Sequence, residues 1–235
     1  MDRATRKELK SDRFAQEVGH TVEYVSEHKN QVVRYGAIGL AVILLAAGIY
    51  FYRNYTHGQR QAALRDAIQI SQGTVGPAQS PLAKTFNTQQ EKDTAAEKAF
   101  ADVIAKFPGS DEAIYSAYMI GNIAVDNNRM ADAEKRYREV IDSGHADYAS
   151  IARLSLAEYY AAQGKYDDAE KLLRPLLDKP TTLVSKEMAT IALGRVLAQS
   201  KPDEARKLLE PLRTSDRLPI SRLALTELSA MQNKK

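Results

Sequence analysis

Two hydrophobic patterns divide the chain. From Tyr35 to Tyr52 it reads YGAIGLAVILLAAGIYFY, with no charge between Arg34 and Arg53. From about residue 59 onward, apolar positions instead return every three or four residues between charges, which is the pattern of amphipathic helices. The first pattern predicts a membrane-crossing helix. Its 18 residues, at ~1.5 Å each, reach about 27 Å. Tyr35 stands at one end and Tyr50, Tyr52 and Tyr55 at the other, as expected of an aromatic belt at headgroup depth. A signal peptide would have a shorter apolar core nearer the N-terminus and a small-residue cleavage site. Here 34 mostly polar residues come first, and the far end is the bulky Ile49-Tyr50-Phe51-Tyr52.

The second pattern repeats. Asp132-Ala133-Glu134-Lys135, Asp168-Ala169-Glu170-Lys171 and Glu204-Ala205-Arg206-Lys207 place their alanines 36 residues apart. Four residues after each alanine stand Tyr137, Leu173 and Leu209; seven after stand Val140, Leu176 and Leu212. An earlier copy, with a 37-residue step, has Ala96, Phe100 and Val103 and closes on Phe107-Pro108. Before the last three copies lie Ile120-Gly121, Leu156-Ala157 and Leu193-Gly194, each a small residue inside an apolar helix. Turns fall between the two sets at Asp126-Asn127-Asn128, Gln163-Gly164-Lys165 and Ser200-Lys201-Pro202. Each unit therefore reads as helix, short turn, helix. Gly121, Ala157 and Gly194 on first helices are expected to face Ala133, Ala169 and Ala205 on second helices, since small side chains let two backbones approach closely. Pro175 and Pro211 fall inside second helices, where each should remove a hydrogen bond and kink the helix.

The ends of the array depart from the pattern. The first helix of the first unit is expected to run on from the membrane span through Ala63, Leu64 and Ala67 to Ile70. Gly73 to Ala83 reads as a loop. Pro219 to Met231, with Ile220, Leu223, Leu225 and Leu228, reads as a closing helix that caps the stack. The expected fold is thus all-α: one N-terminal transmembrane helix followed by an α-solenoid. The expected domains are a tail (1–34), the span (35–52) and a repeat domain (53–235) of about four helix pairs plus a cap.

The polar tail carries Phe14, Val18, Val22 and Val25 at spacings of 4, 4 and 3, one stripe of an amphipathic helix. The stripe suits a helix leading into the span, a helix lying on the lipid surface near its basic residues, or one docked on a partner. The tail holds seven Lys or Arg against three within about 20 residues beyond the span. That favours an N-terminus in the cytoplasm. Counted only close to the span, the tail has two against three, and the rule is silent.

A stack of helix pairs presents a concave face lined by first helices. On the repeat template, Asn122, Glu158 and Arg195 point into it, with Tyr115 and Tyr118 one or two turns earlier. This mixed aromatic and polar surface suits an extended chain or a partner helix. Glu158 and Arg195 suit ordinary solvated charges equally well.

Composition removes other classes. The 235 residues carry 33 Lys plus Arg and 30 Asp plus Glu, interleaved, so there is no one-sided basic face of the kind that displaces phosphate counterions, and no nucleic-acid partner is expected. With no cysteine, disulfides, thiolate metal sites and a cysteine nucleophile are excluded. The four histidines, His20, His28, His57 and His145, are scattered. No HExxH, GxSxG or phosphate-loop motif is present. No catalytic residue, metal or cofactor is therefore expected. Asp167-Asp168 opens a second helix, where the helix dipole explains it.

The unit from Ile151 to Pro180 resembles a tetratricopeptide repeat through Leu156, Ala157, Tyr160, Gly164, Tyr166, Ala169, Leu173 and Leu176. It differs in its period of 36 and in having no tryptophan at the start of the first helix. The whole layout of tail, span and repeats resembles the YfgM-like family, ancillary subunits of the SecYEG translocon. The resemblance implies a periplasm-facing adaptor in the bacterial inner membrane, with translocon subunits, periplasmic chaperones or exported proteins as partners. A scaffold for another envelope machine, in cell division or outer-membrane assembly, is the alternative.

Overall fold

The computed structural model describes residues 29–77 and 84–232. The tail stripe Phe14, Val18, Val22 and Val25 lies outside the described residues, as do residues 78–83 of the expected loop. The chain separates into two units, Met1–Gly58 and Gln59–Lys235.

Helix α1 (Lys29–Ser71) supplies the described part of the first unit. Ile38, Leu40, Val42, Ile43, Leu44, Leu45 and Ile49 are each 52–67% exposed. At 100° per residue these positions cover the whole circumference of the helix. The helix is long and apolar enough to cross a membrane.

The second unit is a right succession of helix pairs: α2 (Gln89–Lys106), α3 (Asp111–Asp126), α4 (Met130–Asp142), α5 (Ala146–Ala162), α6 (Tyr166–Asp178), α7 (Lys186–Ser200), α8 (Pro202–Leu209) and α9 (Leu218–Gln232). From α2 to α8 each helix packs on its neighbours in sequence, and the first helices α3, α5, α7 and α9 also touch one another in turn. The end of α1 serves as the first helix of the first pair: its Ala67 is buried with Ala96, Phe100 and Val103 of α2 and Ile120 and Ile123 of α3. Thr74–Val75 (β1), within the segment expected as a loop, pairs in parallel with Thr85–Phe86 (β2). Gly73 is required there, because a Cβ would lie 2.5 Å from the Phe86 ring.

Local chemistry sets the helix ends. Thr88, Ser110 and Ser185 cap α2, α3 and α7 by accepting from Glu91, Ala113 and Met188 N–H, satisfying donors that have no partner within the helix. The turns after α3 and α5 share one geometry. Asn128 and Gly164 take φ of 58° and 74°, and the next N–H, of Arg129 or Lys165, returns to the carbonyl of Ala124 or Tyr160 at 2.8 and 2.9 Å. This is the Schellman arrangement, and it aims residues 129 and 165 backward at the preceding pair.

The repeat alanines Ala96, Ala133, Ala169 and Ala205 are buried, at most 2% exposed. The glycines meet a different neighbour from the one expected. A Cβ on Gly121 would lie 2.8 Å from the Tyr137 ring, and one on Gly194 would lie 2.7 Å from Leu209. The contact is thus small against large, with the large residue one turn beyond the alanine.

Two expectations are corrected at the C-terminal end. Pro211 lies outside the second helix of its unit: α8 ends at Leu209 and the chain continues as a 3-10 turn, Glu210–Thr214. A proline ring cannot supply the N–H that would continue the α-helix. Pro175 stays within α6, between buried Leu173 and Leu176. In α9 the buried stripe is Ile220, Ala224, Leu228 and Met231, while Leu223 and Leu225 are 44% and 45% exposed.

An ionic ladder joins successive pairs. The residue after the repeat alanine is Glu97, Glu134 or Glu170. Glu97 binds Arg129 in the turn of the following pair. Glu170 accepts from Lys201 Nζ at 2.8 Å and from Arg174 Nε at 2.6 Å, and Arg174 reaches Glu204 at 2.7 Å. Glu134 accepts from the Tyr160 hydroxyl at 2.7 Å and from Arg138 Nε at 3.0 Å, and Lys165 lies over the Tyr160 ring, 5.5 Å from its centre. The fourth pair has Arg206 at this position, where no further helix pair follows.

These bonds hold the Glu170 and Glu134 carboxyls below the ordinary carboxylate range, Glu170 chiefly through Lys201 and Glu134 chiefly through Tyr160. Their stabilisation is complete at neutral pH and is lost as pH falls from the ordinary range through the lowered folded values. Glu170→Gln should cost about 1–2 kcal/mol at neutral pH, and the deficit should shrink as urea unfolding is repeated at falling pH. Ala169→Leu should overpack the buried contact and lower the urea midpoint by the equivalent of about 1–3 kcal/mol at every pH.

Candidate functional site

The first helices carry a row of side chains along the face they share. On α3, Tyr115, Tyr118 and Asn122 fall on one side, three and four residues apart. Tyr118 packs on Tyr137 of α4, ring centres 5.8 Å apart, and its hydroxyl lies 3.2 Å from Ser155 Oγ of α5. Tyr137 donates to Asn122 Oδ1 at 2.7 Å. Tyr118 and Asn122 are therefore linked through a residue of the second helix. Tyr115 stands apart from them, with its ring 6.1 Å from that of Tyr148 on α5.

Glu158 and Arg195 continue the row on α5 and α7. Arg195 Nη1 lies 3.9 Å from Glu158, and its Nε donates to Glu227 of α9 at 2.7 Å. Acid, base and acid thus cross three first helices, leaving one net negative charge. At its opposite end the layer begins with Arg60, whose Nε lies 3.5 Å from Glu112 of α3. Among the described residues, no group of three or more His, Cys, Asp or Glu is placed to hold a metal ion.

Of the residues expected to form the repeat contact, Ala133, Ala157, Ala169 and Ala205 are buried to 1% exposure or less, and Gly121 and Gly194 lie under Tyr137 and Leu209. Tyr148, Ser155 and Glu227 touch this row but were not singled out by the sequence, and Tyr137, read there only as a repeat position, lies beneath it at 2% exposure. Tyr148 and Ser155 escaped because the step from α3 to α5 is 36, Gly121 to Ala157, which carries Tyr115 to Ile151 and Tyr118 to Leu154. Glu227 follows Arg195 by 32 and breaks the period, because it belongs to the cap.

Burial raises the phenols. Tyr137 is pushed well above the usual tyrosine value by desolvation and by the neighbouring Tyr118. Tyr115 rises through burial and Tyr118, Tyr148 through burial and the charge of Asp111. The phenols here are thus neutral hydroxyls at physiological pH.

This is an all-helical repeat scaffold with an aromatic and polar face. The family described as Tetratricopeptide repeat-like domain matches residues 27–180, and the chain belongs to it. Domains of this kind are characteristically non-catalytic modules for contact between proteins, and the chain is read as such a scaffold. No curated protein and no solved structure matches the chain.

The raised phenols have an alkaline consequence. Below the ordinary tyrosine range the hydroxyls are neutral in both states, so their stabilisation is intact. As pH rises past that range the unfolded chain loses protons that the folded chain keeps, and stability falls. Tyr137→Phe should cost about 0.5–1.5 kcal/mol near neutrality by leaving Asn122 without its donor. It should also remove the slowest-ionising phenol from the tyrosinate absorbance titration.

Proposed function

We propose that this chain is a membrane-anchored adaptor, with its N-terminus in the cytoplasm and its repeat domain (53–235) on the periplasmic side of a bacterial inner membrane. It holds exported polypeptides beside the SecYEG translocon. The observation that carries the reading is the reach of the family match, which begins at residue 27, ahead of the apolar segment, and continues through the third helix pair. Span and repeats thus belong to one family unit.

Physical reasons support each part. A helix apolar around its whole circumference is stable either inside a protein core or in lipid. Among the described residues, the large apolar side chains of α1 from Ile38 to Ile49 are more than half exposed, which supports a hydrocarbon surrounding over 35–52. The excess of Lys and Arg in the tail 1–34 supports the orientation. The face of Tyr115, Tyr118, Asn122, Glu158 and Arg195 offers rings and hydrogen-bonding groups to a polypeptide and supplies no nucleophile. Anchoring it at one membrane site raises its effective concentration for chains emerging there.

Photocrosslinking residues at Leu44 and Tyr118 test the reading. The expected products are Sec subunits from Leu44 and exported or periplasmic proteins from Tyr118. Recovery of cytoplasmic proteins from Tyr118, or of another envelope complex from Leu44 with no Sec subunit, would contradict it.

A further inference from the structure

A second feature of the first-helix layer lies away from the Tyr118–Asn122 network. Between the N-terminal halves of α3 and α5 and the segment leading to α7 is an open pocket of about 540 Å³, within the usual range of ligand sites. Tyr115, Tyr148, Ile151 and the 41%-exposed Leu183 give it an apolar lining. Asp111 and Asp147 stand at its rim, and among the described residues no Lys or Arg lines it.

The rim carboxylates are open to solvent or to a partner. Asp111 Oδ1 lies 2.8 Å from His145 Nδ1, and the Asp111 side chain is 71% exposed. Asp147 Oδ1 accepts the Thr182 N–H at 2.9 Å, which leaves its other oxygen unengaged by that bond. Both carboxylates sit in first helical turns. The helix ends offset part of this charge, and two carboxylates against one imidazole leave the rim acidic. The phenol of Tyr148 registers the same field, raised by Asp111, Glu112 and Asp147 after burial itself.

We propose that this pocket receives an apolar side chain of an extended polypeptide whose adjacent lysine or arginine pairs with Asp111 and Asp147. The proposal rests on the reading of the domain as a protein-binding scaffold and names the kind of segment it takes. The open side suits a residue presented on a longer chain. The apolar floor gives the contact its affinity, and the rim selects the charge beside it. An acidic segment would meet like charge.

The test uses the full chain in zwitterionic lipid nanodiscs and fluorescein-labelled Gly/Ser dodecapeptides with a central Lys-Leu-Lys, Glu-Leu-Glu or Lys-Ser-Lys. Anisotropy should show the Lys-Leu-Lys peptide binding at least about tenfold more tightly than the other two. Asp111→Asn with Asp147→Asn should weaken it by about three- to tenfold, and Leu183→Ser should weaken it with the helical circular dichroism unchanged. Equal binding of Lys-Leu-Lys and Glu-Leu-Glu, or an unaffected double variant, overturns the proposal. A reduced, alkylated polypeptide offered to chains photolabelled at Leu183 or at Tyr118 separates the two claims. Crosslinks at Leu183 that the Lys-Leu-Lys peptide competes away support the pocket. Crosslinks at Tyr118 alone overturn the pocket and leave the scaffold standing, whereas crosslinks at neither overturn both.

Discussion

A single helix pair cannot cover its own apolar stripe, so every pair in this chain is stable only against its neighbours. The contact that makes the pairing close is small against large. Gly121 and Gly194 admit Tyr137 and Leu209 to within 2.8 and 2.7 Å of where a Cβ would stand. The alanine one turn earlier, Ala133 or Ala205, is buried to 1% exposure or less. Interiors packed at crystal-like density have no slack to absorb an added side chain there. The spacing of α3 on α4 and of α7 on α8, and hence the placing of the residues those first helices carry, follows from that interlock.

The interlock sets spacing within a pair, and the carboxylates beside Ala96, Ala133 and Ala169 tie one pair to the next. Exposed ion pairs contribute little. Glu170 is different: it is buried to 8% exposure, and leaving it unpaired would carry the full cost of desolvation. Its partners are Lys201 from the turn of the following pair and Arg174 from its own helix, and Arg174 in turn reaches Glu204 on the second helix of that pair. The left-handed residues Asn128 and Gly164 matter for the same reason, because they turn Arg129 and Lys165 back toward the previous carboxylate. Where the array ends, Arg206 replaces the acid, and α9 closes the stack with Ile220, Ala224, Leu228 and Met231 instead.

Much of this was legible in sequence because it is periodic. The 36-residue step located the alanines, the turns and the row from Asn122 to Arg195. Periodicity failed where the chain departs from it. Glu227 joins Arg195 from a cap that follows no repeat. Leu223 and Leu225 looked like core because they are leucines, yet the helical phase set by Ile220 and Leu228 turns them outward. Pro211 ended a helix rather than bending it. The partners of the glycines also escaped, since the residue above Gly121 depends on how two helices cross, which spacing along one chain does not encode. The Glu97, Glu134 and Glu170 series was visible as a repeated letter, but its bonds cross from one repeat to the next.

The proposed function reduces to one face of one layer: it has polypeptide held by the first helices, with the second helices supporting them. Hydrogen–deuterium exchange on the full chain in nanodiscs, with and without a saturating reduced and alkylated polypeptide, measures this directly. The account predicts slowed exchange in α3, α5 and α7 with α4, α6 and α8 unchanged. Protection confined to α4, α6 and α8, or none anywhere in the repeats, would contradict it.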